Sequence, residues 1–424
     1  MQGDVLQVNG REGRVISLFS DNRRFMTRII LNKGKEHSLK RFHPWVFSGA
    51  VKRIEGGSPA EGDVIEVYSS DGEYLGCGHY QIGSITVRIL SFKKEAIDDA
   101  FWYRAIKGAY DARVTLGLAD SEDTTAYRLV HGEGDFLPGL IIDIYGKTAV
   151  MQAHSAGMFL AKENIAQALK KVYGNNLDAV YDKSEGTAPF KAGLDLKDGY
   201  IYREEGASAG AESVLENGNK FLVNWEEGQK TGFFLDQRDN RALVKKYANG
   251  KTVLNLFCYT GGFSIYALNG GAAHVDSVDS SRKAMDMVVR NVEMNGFTEG
   301  VEHTSYCEDA IEFMRKCEGG KYDLMIVDPP AFAKHRGALD NALRAYKRLN
   351  ALAIEKVKPG GVVFTYSCSQ VVDKQNFALA VFSAAAQTGR RVRILHRLTQ
   401  PADHPVNIYH PEGEYLKGLV ILVE

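Results

Sequence analysis

Apolar and polar positions change their rhythm twice along the chain. From Arg28 to about Leu90, short alternating runs ("TRIILNKG", "DVIEVYSSDGEYLGCGHY", "SITVRIL") are broken by "EGG", "SDGE" and "QIG". Alternation sends every second side chain to one face of a strand, and turn chemistry at such short intervals predicts a small all-β barrel. From Asp98 to Gly117 the apolar period lengthens to that of a helix. "FLPGLIIDIYGKTAVMQAHS" then reads as a hairpin, "FLAKENIAQALKKVYG" as a helix and "LDAVYDK" as a strand, an α+β region reaching about residue 200. The Gly, Ser and Ala rich stretch from Glu204 to Asn219 reads as a connection.

Beyond Thr252 strands and helices take turns. "TVLNLF", "AHVDSVD", "VEHTS", "YDLMIVD" and "GVVFTYS" are each followed by a helical segment. That order predicts a doubly wound parallel sheet. "RVRILHRL" and "LKGLVILV" close the chain, and the second is expected antiparallel at one edge. The expected organisation is an unassigned leader over 1–25, a small β-barrel over 26–95, a central α+β domain over 96–203 and an α/β domain over 204–424. No repeat of fixed period and no low-complexity tract interrupts it.

A length of 424 residues suits several cores, and 44% hydrophobic with 25% charged residues is ordinary globular composition. The first residues lack the apolar run of a signal peptide, and no stretch is apolar enough to span a bilayer, so a soluble protein is expected. Cys77, Cys258, Cys307, Cys317 and Cys368 are scattered with no Cys-x-x-Cys pair, which predicts no zinc site and a reducing, cytoplasmic setting. The net charge of -1 hides a local excess: Arg23 to Arg53 holds nine Lys and Arg against one acid, Glu36.

Ligands of open α/β sheets bind beyond the carboxyl ends of the strands. The first end, "LNLFCYTGGFS", is a strand, a turn carrying Gly261 and Gly262, and a helix whose free amides point back at the turn. It is not the dinucleotide pattern G-x-G-x-x-G; it resembles the first motif of S-adenosylmethionine methyltransferases. Asp279 ends the next strand where ribose hydroxyls would be held. Asp309 follows the third strand, either as an acceptor for the adenine amino group or as a helix cap. "LMIVDPPAF" ends the fourth strand in Asp328, and Pro329 and Pro330 fix an extended loop able to hold a flat base.

The fifth strand, "GGVVFTYSCSQVV", runs out of apolar residues at Cys368, between Ser367 and Ser369. In the methyltransferase strand order this end lies beside that of the fourth strand, so Asp328 and Cys368 would flank one pocket. A thiolate adding to C6 of cytosine makes C5 nucleophilic, and a carboxyl at N3 and N4 orients the ring. Methylation of a ring nitrogen needs no thiol. A free cysteine is otherwise a small buried filler, the role expected for Cys258. "LNKGKEHSLKRFHPWVF" places Lys33, Lys35, Lys40 and Arg41 among Phe42, His43 and Trp45. "KHRGALDNALRAYKRL" adds Lys334, Arg336, Arg344, Lys347 and Arg348. Each is either a solvated face or an RNA contact, and two such strips on a neutral protein favour RNA.

Taken together, "KGKEHSLKRFHPWVFSGAV", "TGFFLDQRDNR", "LNLFCYTGGFS", "VDPPAF", "TYSCS" and "ADHPVNIYHPEGEYLKG" resemble the bacterial large-subunit ribosomal RNA cytosine-C5 methyltransferases with an N-terminal PUA domain. The resemblance runs from about Met26 to Glu424. It implies a PUA barrel, a central α+β domain and a Rossmann-like catalytic domain, with S-adenosylmethionine as cofactor, 23S ribosomal RNA as partner and a homodimer. It also implies Cys368 as nucleophile with Asp328 as the pocket acid. Cofactor contacts are expected from Phe257, Tyr259, Thr260, Gly261, Gly262, Asp279, Ser280, Asn291, Asp309, Asp328, Gln237 and Arg238. RNA contacts are expected from Lys33, Lys35, Lys40, Arg41, Trp45, Lys334, Arg344, Lys347 and Arg348. Other RNA cytosine-C5 methyltransferases carry a second cysteine after the fourth-strand proline; here Ala331 follows Pro330. The alternatives are an RNA guanine N-methyltransferase on the same fold and a non-catalytic RNA-binding protein.

Overall fold

The structure is a computed structural model that describes residues 27–189, 193–333 and 335–424. The leader over 1–25 and the candidate RNA contact Lys334 lie outside the described residues.

The first unit is one mixed sheet of β1 (Arg28–Leu31), β2 (Trp45–Phe47), β3 (Val51–Glu55), β4 (Val64–Tyr68), β5 (Tyr74–Tyr80) and β6 (Ile85–Ser91), in the order β2-β6-β5-β4-β1-β3. The one-turn helix α1 (His37–Lys40) joins β1 to β2. Register shifts at four of the strand pairings curl the sheet around Ile29, Leu31, Val46, Ile65, Val67, Val87 and Ile89. Gly78 permits the tightest crossing, because a Cβ there would meet the Arg88 carbonyl at 2.0 Å.

Helix α2 (Asp99–Thr115), capped by Asp98, opens the central unit. Its sheet is β7 (Ala126–His131), β8 (Leu140–Tyr145), β9 (Thr148–Ala153), β10 (Ala179–Asp182) and β11 (Gly199–Arg203), in reverse chain order. Helices α3 (Ala156–Leu160) and α4 (Lys162–Tyr173) intervene between β9 and β10, and Ile165 and Leu169 pack against Ile142, Met151 and Val180 in one core.

The stretch expected to be a connection holds a hairpin instead, β12 (Ala211–Glu216) and β13 (Asn219–Asn224). Asn217 and Gly218, with φ of 49° and 76°, form its two-residue turn, the left-handed pair that matches strand twist.

The last unit begins with α5 (Arg238–Tyr247) and alternates β14 (Thr252–Leu256), α6 (Gly262–Asn269), β15 (His274–Asp279), α7 (Arg282–Met294), β16 (His303–Cys307), α8 (Ala310–Lys316), β17 (Leu324–Val327), α9 (Leu339–Lys356), β18 (Gly361–Ser367) and α10 (Lys374–Thr388). Strands β19 (Val392–Leu398) and β20 (Lys417–Val423) complete a seven-stranded sheet in the order β16-β15-β14-β17-β18-β20-β19. Strand β20 is antiparallel as expected, but it lies inside the sheet and β19 takes the edge. The reason is compositional: "KGLVILV" is buried nearly throughout, whereas Arg393, His396 and Arg397 make β19 polar enough for an edge. Among the described residues no helix is long and apolar enough to cross a membrane.

Candidate active site

Strands β14, β15, β17 and β18 present their carboxyl ends side by side, so the loops that follow them share one rim. After β14 the backbone turns through three left-handed residues, Phe257, Tyr259 and Gly261, with φ of 57°, 48° and 80°. Such conformations are costly for aromatic residues and persist where the surroundings enforce them. Here Cys258 N donates to Val278 O (3.1 Å), Tyr259 N to the Asp279 carboxylate (3.0 Å) and Gly261 N to Cys258 O (2.9 Å). A Cβ on Gly261 would press on Val288 at 3.2 Å, and one on Gly262 on Arg241 at 3.1 Å. Cys258 is buried with its sulfur 3.7 Å from that of Met285, the packing role expected of it.

Three carboxylates stand along this rim. Asp279 uses one oxygen on Tyr259 N and the other on Ser281 N (2.9 Å), and remains partly exposed beside exposed Ser280. Asp309 caps α8, taking the amides of Ile311 and Glu312 on a single oxygen, and is exposed. Asp328 is half-buried and receives Gln237 Nε2 at 2.9 Å. Burial, then the Asp236 charge, push the Asp328 carboxyl up to about 7, against the Gln237 hydrogen bond and the charges of Lys230 and Arg241.

Cys368 follows the last residue of β18 and is half-buried, while Ser367 and Ser369 on either side are fully buried. Ser369 is tied down by Tyr346 Oη at 3.1 Å, so the thiol alone of the three projects from the core. Burial, then the Asp328 charge, push this thiol up to about 11, while Lys230 and Lys417 act to lower it. Lys417 opens β20 in register with Ser367 and is buried with no carboxylate partner among the described residues. Its Nζ donates to Ser369 O (2.6 Å) and Tyr415 O (2.7 Å), and burial pushes it down to about 8 against the pull of Cys368.

Several candidate residues stand behind the rim rather than on it. Asn291 is fully buried, its amide joining Thr260 O (2.9 Å) to Leu222 N (2.8 Å), so it braces the loop from inside. Arg238 is buried in a two-pronged pair with Asp403 (2.8 and 2.7 Å) and faces no open site. Gln237 is buried and reaches the site through Asp328. Trp45 donates to Glu133 (2.9 Å) and packs on His410 with ring centroids 4.3 Å apart, fastening the barrel to the rest of the chain. Lys40 pairs with Glu73 at 2.6 Å. Lys33, Lys35 and Arg41 are exposed on the barrel. Arg344, Lys347 and Arg348 share one outer face of α9, at helical spacings of three and four.

Sequence reading passed over Asp236, Lys230 and Lys417. Asp236 is buried on the turn before α5, accepts Tyr415 Oη (2.7 Å) and has one oxygen without a partner among the described residues. Burial acts to raise it, but Lys230, His404, the Tyr415 hydrogen bond and Arg128 together hold it well below the usual carboxylate range. Both Asp236 and Lys417 sit inside motifs singled out above, and the usable signal for Lys417 was a lone cation opening an otherwise apolar strand.

The donor set suits S-adenosylmethionine. The carboxylates at the ends of β15, β16 and β17, which here take amide donors, are acceptors of the kind that the hydroxyls and amines of a nucleoside need. The first-turn amides of α6 and the Thr260 hydroxyl, unpartnered among the described residues, complete it.

Comparison with known proteins agrees with this geometry. Residues 202–415 match the family model for S-adenosylmethionine-dependent methyltransferase, and residues 29–92 that for a PUA-like domain. A protein of Aeromonas hydrophila named ribosomal RNA large subunit methyltransferase I is 43% identical over 404 residues, covering 93% of this chain and 98% of the relative. One of the same name from Photobacterium profundum is 42% identical over 403 residues, covering 94% and 100%. A solved methyltransferase-fold structure complexed with SAH superposes with a TM-score of 0.79 at 25% identity, over 94% of this chain and all of that one.

Proposed function

We propose that this chain, which belongs to the S-adenosylmethionine-dependent methyltransferase family of ribosomal RNA large subunit methyltransferase I, methylates C5 of a cytosine in 23S ribosomal RNA with Cys368 as nucleophile. The observation that carries the choice of carbon over nitrogen is the projecting thiol of Cys368 beside Asp328, at the carboxyl ends of adjacent strands. The Phe257–Gly262 loop, Asp279 and Asp309 would hold S-adenosylmethionine, which when bound would supply an electrophilic methyl group.

The chain's own residues do the rest. Cys368 as thiolate forms a bond to C6, and the C5–C6 π pair moves toward C5. Asp328 in its protonated form donates to N3 and takes up the charge that addition would leave on the ring; Gln237 holds the carboxyl in place. Once C5 carries its new substituent, water takes the C5 proton, the pair of that C–H bond restores the double bond as the thiolate leaves C6, and N3 returns its proton to Asp328. A target inside a helix must leave the stack to reach this rim. The cytoplasm, where the five cysteines, free among the described residues, would stay reduced, and a homodimer belong to the same reading; sedimentation velocity tests the second.

Labelled methyl transfer to 23S ribosomal RNA from cells lacking this protein, followed by nucleoside analysis, tests the reading. It yields 5-methylcytosine. A methylated guanine would overturn it in favour of nitrogen chemistry.

A further inference from the structure

Phe42 is a bulky residue in the left-handed region, with φ of 63°, and it is 48% exposed. Neither feature is ordinary, and the backbone holds both in place: Phe42 N donates to Leu39 O (2.8 Å) and His43 N to Ser38 O (3.0 Å). The ring stands edge-on to Phe92 at 5.3 Å, which fixes its orientation from below. Beside it, also at 5.3 Å, lies Tyr409, 45% exposed and contributed by the segment between β19 and β20. Phe47 and Ile408, 49% and 84% exposed, extend the patch.

The rim of this patch selects its partner. Arg41, next to Phe42 in the chain, and Lys33 and Lys35, on the turn that leads into α1, are exposed on the same barrel and make no ion pair among the described residues. Exposed rings and unmatched cations on one barrel suit a strand that offers flat bases and phosphates. One hydrogen bond also links the segment that carries Tyr409 to the segment that carries Cys368. Glu412 O, three residues after Tyr409, accepts Gln370 Nε2 (3.3 Å), and Gln370 is two residues past Cys368.

From this we infer that Phe42 and Tyr409 form a two-domain stacking platform for unpaired bases flanking the target nucleotide, with Lys33, Lys35 and Arg41 on the adjoining phosphates. The inference rests on the reading that RNA is the substrate and adds where its neighbouring nucleotides lie.

The test is anisotropy of a fluorescent single-stranded RNA of about twelve nucleotides binding the full chain without cofactor, so that catalysis plays no part. Phe42→Ala and Tyr409→Ala should each weaken binding roughly tenfold, the loss of one stacked base, with the salt dependence unchanged. Arg41→Ala should instead reduce the slope of log affinity against log salt by about one. Phe42→Trp and Tyr409→Phe, which keep a ring, should retain affinity. Wild-type affinity in both alanine variants would overturn the platform. So would unchanged RNA affinity with an altered sedimentation coefficient, which would give the face to a second copy of the chain. Loss of binding in the alanine variants supports the platform even if Cys368 proves not to be the nucleophile.

Discussion

Replacing Asp328 by Asn should change the pH dependence of methyl transfer in a way fixed by two neighbouring groups. With the carboxyl at about 7 and the thiol at about 11, half of Asp328 is protonated at pH 7, while the thiolate is about one part in ten thousand. If the productive form carries a protonated Asp328 and an ionised Cys368, each pH unit below 7 raises its population about tenfold. Above 7 the gain in thiolate is cancelled by the loss of protonated acid. Between pH 6 and pH 8 the wild-type rate should therefore rise only about tenfold and level off. The Asn variant has no acid to lose, so its slower rate should climb about a hundredfold over the same interval. Asp236 stays ionised throughout, and Lys417, at about 8, loses its charge only in the upper part of the range. The assay is single-turnover methylation with enzyme in excess over RNA and saturating cofactor. A wild-type profile climbing straight through pH 7, or a break near 7 that survives in the Asn variant, would refute the assignment of the proton.

Other consequences can be measured separately. Lys417→Met should slow the reaction of Cys368 with iodoacetamide below about pH 8, where the buried cation is charged and favours the thiolate; an unchanged rate in that range would deny it that role. Asp403→Ala should cost about 3–5 kcal/mol in denaturant unfolding, since it strands the buried Arg238 guanidinium; a loss under about 1 kcal/mol would contradict the pairing. Asn291→Leu should weaken S-adenosylmethionine binding in calorimetry, because Thr260 O and Leu222 N lose their shared brace; unchanged affinity would show the loop holds its shape alone.

Periodicity made the strand and helix succession readable, because each element of the catalytic unit buries its own apolar face and announces it locally. The hairpin at Ala211–Asn224 was missed although Asn217-Gly218 is a strong turn signal, since small residues before it masked the flanking alternation. The place of β20 was misjudged because burial on both faces belongs to the assembled sheet, yet its uninterrupted apolar run was already a clue. At the site, residues ending strands could be named from sequence: Asp279, Asp328 and Cys368 all stand on the rim. Residues one layer back could not. Whether Arg238 meets a ligand or Asp403, 165 residues away, depends on tertiary contacts that no local pattern encodes. The same holds for Asn291 and for Trp45, whose partner Glu133 lies 88 residues on.

The central claim is that sulfur, carried by Cys368, bonds to carbon during turnover. Ribosomal RNA containing 5-fluorocytidine blocks loss of the C5 substituent, so the wild-type enzyme should accumulate a protein–RNA adduct that survives denaturing electrophoresis, and Cys368→Ala should form none while still binding S-adenosylmethionine. Absence of an adduct with wild type, or an adduct of equal yield in the alanine variant, would contradict the account.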